Sequence, residues 1–286
     1  MKLLLIVLVF VLTAGLCQAQ DKKYIEEKGI VYDEQDGVTL IMDMKTLDDG
    51  RKNKPCCVSI HGGGWAGGNV EDSNWMGAPL IELGYTVFGI EYRLAPKHPF
   101  PAQIEDCKSA VRFIRANAKK YNIDPNRIVA YGGSAGGHLA SLLGVLPDGV
   151  FEGKGPNRKY SSRANLVISN VGPEDMEFFL PLTGRVALRD DGFHWLFDGT
   201  AEGWDYWVPR SSPINYVTKD SAPHLLLYGG SDDLVYAAQG ELFHNKMKAA
   251  GAKSEIYICP GSWHILPGDF LMAHIPAFLE RYFGKR

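Results

Sequence analysis

Residues Arg127 to Leu143 constrain the fold more than any other stretch. A short β-forming run, Arg127 to Tyr131, meets Gly132-Gly133-Ser134-Ala135-Gly136, and a small-residue run from Gly137 to Leu143 follows with helical spacing. Strand, tight turn and helix form the context that gives a Gly-x-Ser-x-Gly motif chemical meaning, because the serine at the apex of so sharp a turn is held out of both elements. The flanking glycines let strand and helix approach where side chains at 132 and 136 would collide. Ser134 reads as a nucleophile, and the rest of the chain must supply its partners.

The N-terminus bounds the compartment. Met1 to Ala19 holds one basic residue, Lys2, then an apolar run from Leu3 to Leu12 and a small-x-small site at Cys17-Gln18-Ala19. This is the pattern of a cleaved secretory signal peptide, too short for a membrane span, and it predicts a secreted or periplasmic protein. Cleavage near Ala19 leaves 267 residues (286 minus 19), a length that one α/β domain over 20–286 can absorb. Loss of Lys2 moves the formal charge from −3 to −4, with no basic block, so nucleic acid is not an expected partner. Cys56, Cys57, Cys107 and Cys259 remain. Three lie in predicted strands and one on a predicted helix, and buried free thiols are expected in a domain too large to need staples. Neither a Cys-x-x-Cys pair nor His-Glu-x-x-His occurs, so no metal is expected.

Taken in order, Gly29–Asp33 and Val38–Met44 predict an antiparallel pair, and Pro55–His61 a buried strand that runs into Gly62-Gly63-Gly64-Trp65-Ala66-Gly67-Gly68. A helix over Asp72–Leu83 and a strand over Tyr85–Tyr92 follow. Arg93 to Pro101 is a proline-stiffened loop, in which Arg93 either pairs with Asp106 or remains a solvated charge. Ile104, Cys107, Val111, Ile114 and Ala118 hold helical spacing. After the serine helix come a strand at Leu166–Val171, a strand at His224–Tyr228, a helix over Val235–Ala250, a strand at Ser254–Ile258 and a last helix over Asp269–Tyr282. Alternating strands and helices predict a mostly parallel sheet with helices on both faces. Gly172 to Tyr216 breaks the alternation and carries nine aromatics, including Trp195, Trp204 and Trp207, which predicts an inserted cap of short helices.

Ligands of such sheets collect at the carboxyl ends of the strands, so residues just past strand ends are the candidates. His264 follows the turn Cys259-Pro260-Gly261-Ser262-Trp263 and is the candidate base. Of the two carboxylates after strand His224–Tyr228, Asp232 is chosen to orient the imidazole, and Asp233, beside the helix start, as an N-cap. Donors for an oxyanion are sought in the amides of Gly63, Gly64 and Ala135.

The order Ser134, Asp232, His264 now joins further motifs: His61 to Trp65, Glu91 to Pro96 with Phe100-Pro101-Ala102, Asp124 to Ile128, Gly132 to Ala140, Gly229-x-x-Asp232 and Pro260-Gly261-x-x-His264. Together they resemble the α/β-hydrolase esterases of the hormone-sensitive-lipase-like group, and most closely its secreted bacterial acetylxylan and feruloyl esterases. The resemblance runs from Gly29 to the C-terminus. It implies an eight-stranded α/β-hydrolase fold, the triad Ser134, Asp232 and His264, no cofactor, and a small-molecule or oligosaccharide ester as substrate. Asp233 departs from the proline common at that position. The short N-terminal segment replaces a long cap and implies an open pocket suited to a bulky alcohol. Trp65, Trp195, Trp204, Trp207 and Trp263 are the expected substrate-contacting aromatics. An arylformamidase, which shares His-Gly-Gly-x-Trp, a general short-chain carboxylesterase and an inactive carbohydrate-binding hydrolase fold are the alternatives.

Overall fold

The computed structural model describes residues 22–183, 194–197 and 201–284. The expected signal peptide, residues 1–19, lies outside them. Eight strands form one sheet: β1 (Tyr24–Gln35), β2 (Val38–Leu47), β3 (Lys54–Ile60), β4 (Thr86–Ile90), β5 (Ile123–Gly133), β6 (Leu166–Asn170), β7 (His224–Gly229) and β8 (Ser254–Cys259), in the order β1-β2-β4-β3-β5-β6-β7-β8. The β1–β2 and β2–β4 pairs are antiparallel and all the others parallel. Eight α-helices are described: α1 (Val70–Glu82), α2 (Ala102–Ala116), α3 (Ala118–Tyr121), α4 (Ala135–Val145), α5 (Met176–Thr183), α6 (Ala201–Ser211), α7 (Ala238–Ala249) and α8 (Gly268–Phe283).

Both faces of the central strands are apolar and both are covered. Side chains of α2, α4 and α7 join one core with Val58, Ile60 and Leu226, while Leu80 and Ile81 of α1 and Ile275, Phe278 and Leu279 of α8 join the other with Val129, Tyr131 and Leu227. Strands buried on both faces lose the polar–apolar alternation of half-exposed ones, and β3, β5 and β7 read as continuous buried runs for that reason.

Local chemistry sets the ends. Asn69 caps α1: its side chain accepts the Asp72 amide and its own amide donates to the Asp72 carboxylate, each at 3.1 Å. Arg93 is paired, donating from Nε and Nη2 to the buried carboxylate of Asp106 at 2.9 and 2.7 Å, which pins the proline-rich loop to α2. The helix expected from Val235 begins only at Ala238, so Asp233 is no N-cap. Asp232 instead takes the amides of Leu234 and Val235, and that turn delays the helix. Between β6 and β7 the chain forms α5, a 3₁₀ turn at His194–Phe197, α6 and a second 3₁₀ turn at Pro213–Tyr216. The four cysteines among the described residues are free thiols, with Cys56, Cys57 and Cys107 buried and Cys259 half-buried.

Candidate active site

Strand β5 hands over to α4 through Ser134, whose φ of 55° and ψ of −122° lie in a region that L-residues avoid. A methyl group at Gly132 would overlap the Gly136 carbonyl, and one at Gly136 would overlap the carbonyl of Ile60 on β3, so neither position can carry a side chain. The Ser134 amide donates to the Asn170 carbonyl at the end of β6 (2.8 Å), which holds the turn against the neighbouring strand.

The base and acid arrive on two loops joined to each other. The amide of Gly230 donates to the Cys259 carbonyl and that of Ser231 to the Ser262 carbonyl, each at 2.9 Å. Gly229 has no side chain to obstruct the carbonyls of Ser262 and Trp263, so the turn carrying His264 settles over the end of β7. His264 Nδ1–H donates to Asp232 Oδ2 at 2.8 Å, and the Ser134 hydroxyl donates to His264 Nε2 at 2.9 Å. Asp232 is 4% exposed, and its other oxygen is taken by the amides of Leu234 and Val235 at 2.9 Å each. Its geometry is thus fixed from both sides, and it holds the imidazole in the tautomer that leaves Nε2 free to accept a proton.

Gly63 and Gly64 have φ of 99° and 58°, a left-handed conformation that departs from ordinary strand geometry and favours glycine. The amides of Gly63, Gly64 and Ala135 donate to no acceptor among the described residues. His61, at the root of this loop, is structural. It is buried, stacks on Tyr92 with centroids 4.1 Å apart, and is pushed below the ordinary imidazole range by burial.

Two buried polar groups support the serine turn, and sequence reading missed both roles. His138, one turn into α4, donates from Nε2 to the Ser211 carbonyl (2.7 Å) and accepts the Trp65 indole N–H at Nδ1 (3.2 Å). One ring therefore joins the glycine loop, the serine helix and the end of α6, and burial lowers its pKa to about 4. Glu174 is completely buried. Its Oε1 accepts hydroxyls from Ser141 on α4 (2.8 Å) and Ser169 on β6 (2.7 Å), while burial raises its pKa to about 8. The signal for Glu174 was its place four residues past the end of a strand, obscured by the aromatic run that follows.

Of the expected aromatics whose side chains are described, Trp65 and Trp207 are taken up in packing. Trp65 is 1% exposed, spent on packing and on His138, which corrects the expectation of a substrate contact. Trp207 is half-buried and packs on Phe100 and Phe151, with ring centroids 5.7 and 6.1 Å away, which ties the insertion to the main core. The side chains of Trp195 and Trp204 lie outside the described residues. Trp263 is 51% exposed beside His264, with ring centroids 5.9 Å apart, and its indole N–H donates to the Asp233 carboxylate. Ser134 and His264 open instead into a cleft of about 1110 Å³ walled by α1, by Ile265, Leu266, Gly268 and Leu271, by Val171 and by residues of β1 and β2. Among the described residues no cluster of His, Cys, Asp or Glu could hold a metal ion, and no helix is long and apolar enough to cross a membrane.

A serine at a glycine-flanked turn after the fifth strand, with acid and base after the seventh and eighth, defines an α/β-hydrolase. The BD-FAE family pattern matches residues 42–247, and the chain belongs to that family. It is 26% identical over 264 residues to Esterase LipC of Mycobacterium tuberculosis, a match that covers 88% of this chain but 63% of LipC. Among solved structures, a truncated carbohydrate esterase from gut microbiota aligns with a TM-score of 0.79 and 28% identity, over 91% of this chain and 97% of that one. The acetyl ester-xyloside bifunctional hydrolase of Caldicellulosiruptor lactoaceticus aligns with a TM-score of 0.71 and 27% identity, over 86% and 88%.

Proposed function

We propose that the protein is a serine carboxylic-ester hydrolase that removes acyl groups, acetyl first and ferulate second, from plant polysaccharide fragments. The observation that carries the hydrolase reading is the unbroken hydrogen-bond chain from Asp232 through His264 to Ser134. Ser134 Oγ attacks the acyl carbon as its proton passes to His264 Nε2. The amides of Gly63, Gly64 and Ala135 receive the negative charge on the tetrahedral intermediate's oxygen. His264 returns the proton to the departing alkoxide and the alcohol leaves. A water molecule, deprotonated by the same nitrogen, then attacks the acyl-serine; as the acyl–Oγ bond breaks, His264 passes that proton to Ser134 Oγ and the acid is released. Asp232 stabilises the imidazolium in both halves.

The polysaccharide reading is supported by the similarity to a carbohydrate esterase and to an acetyl ester-xyloside hydrolase, together with the leader-like N-terminus, from which we infer export. The test is kcat/KM for nitrophenyl acetate, butyrate and octanoate, beside acetate release from acetylated xylo-oligosaccharides and turnover of methyl ferulate and N-formylkynurenine. Acetate and the sugar esters should lead, with Ser134→Ala lowering every rate by roughly 10³-fold or more and abolishing fluorophosphonate labelling. Octanoate preference without sugar-ester turnover would point to a lipase-like enzyme, and N-formylkynurenine as best substrate to a formamidase.

A further inference from the structure

Helix α1 presents a large aromatic side chain that the fold does not use. Its inward side is completed by Val70, Ser73, Gly77, Leu80 and Ile81, all buried, whereas Trp75 is 76% exposed. The helix is pressed against the serine turn: a methyl group at Gly133 would lie 2.7 Å from the Met76 side chain. Trp75 and Met76 accordingly wall the same cleft as Ser134 and His264, and Ile265, 76% exposed, stands in the wall as well.

The dimensions and charges of the cleft say what fits there. Small-molecule sites commonly enclose about 300 to 1,000 Å³. A cleft of about 1110 Å³ is thus far more than a short acyl group needs, and the excess volume must serve the alcohol half of the ester. Its rim carries both signs with the acids in excess: Lys28 and Lys45 share the Glu26 carboxylate at 3.5 and 3.6 Å and Lys22 pairs with Glu82, while Asp43 and Glu71 form no ion pair among the described residues. Such a rim repels an anionic ligand and sets no charge against a neutral one. An exposed indole face beside carboxylates and the Asn74 amide, which can hydrogen-bond hydroxyls, matches the C–H face and hydroxyls of a neutral sugar. Trp207 of the insertion offers no such surface, since it is half-buried against Phe100 and Phe151 of the main domain.

We propose that the cleft along α1 binds the glycan portion of the substrate, a neutral oligosaccharide, with Trp75 as its stacking platform. This rests on the reading of the protein as a polysaccharide deacylase. It assigns the glycan to α1 rather than to the aromatic insertion.

The test separates the subsite from the chemistry. Trp75→Ala should raise KM for acetylated xylo-oligosaccharides about tenfold, equivalent to about 1.4 kcal/mol, with kcat and nitrophenyl acetate turnover unchanged. Trp75→Phe should recover part of the loss, and Trp207→Ala should leave KM for the sugar ester as in wild type. By calorimetry, Ser134→Ala protein should bind unsubstituted xylohexaose, and adding Trp75→Ala should weaken that binding by the same factor. Unchanged KM and binding in the Trp75 variants, absence of xylohexaose binding, or an equal loss on nitrophenyl acetate would overturn the subsite. Wild-type protein that hydrolyses no ester would sink the deacylase reading alone, since the calorimetric arm still decides whether Trp75 holds a glycan.

Discussion

Asp232 and Asp233 are adjacent carboxylates with unrelated work. Asp232 is buried and donates its geometry to His264, while Asp233 takes the Trp263 indole N–H at the surface. Asp232→Asn should lower kcat/KM by roughly 10⁴-fold, because an amide in that place favours the wrong imidazole tautomer. Asp233→Asn keeps an acceptor for the indole and should stay within about threefold of wild type, as expected for an exposed pair. Steady-state kinetics on one short-chain ester decides this, and a reversal of the two results would assign the triad to Asp233. Spacing alone chose the same aspartate for His264, since the residue three past Gly229 stands over the strand end. What spacing could not show was the role of its neighbour. An N-cap and a surface hydrogen bond to an indole from another loop look identical until the loops are docked.

At the scale of elements, the alternation of strand and helix was legible nearly throughout, because buried parallel strands leave continuous apolar runs in the chain. The boundaries that moved did so where side chains compete with the backbone, as at Asp232, whose turn holds back the start of α7. Elements are joined at the site by single buried groups, and Trp65 is the clearest. Its indole N–H is the partner of His138 Nδ1, which links the glycine loop to α4. Trp65→Phe keeps a ring but leaves that nitrogen unpaired in the interior, and should cost about 1 to 3 kcal/mol. Urea unfolding should show a lower midpoint at unchanged slope. An unchanged midpoint would remove this bond from the account of how the loop is held.

Across the whole molecule, buried titratable groups shape stability from opposite sides. His138 and His224 have folded pKa values of about 4 against an ordinary value of 6.5. The unfolded chain therefore binds more protons between these limits, and stability falls as pH drops from 6.5 toward 4. Glu174 works the other way: its folded pKa of about 8 lies above the ordinary 4.5, so the unfolded chain releases its proton first and stability falls as pH rises from 4.5 to 8. Glu174→Gln cannot ionise and should escape the second loss. Denaturation at pH 5 and pH 8 should show the variant gaining on wild type by a few kcal/mol at the higher pH, and parallel profiles would mean that Glu174 is already charged in the folded protein.

The sequence alone determined the sheet with its antiparallel start, the serine turn, and the partners of that serine. Each of these depends on residues close together in the chain, or on the rule that strand ends gather at one edge. Tertiary structure alone decided which tryptophans are spent on packing and which way the cleft runs. Trp65 follows a glycine loop that folds inward, and Trp75 sits on a helix whose inward face is already filled. No local pattern separates the two, because exposure is what remains after α1, α8 and the sheet have taken the contacts they need from distant parts of the chain.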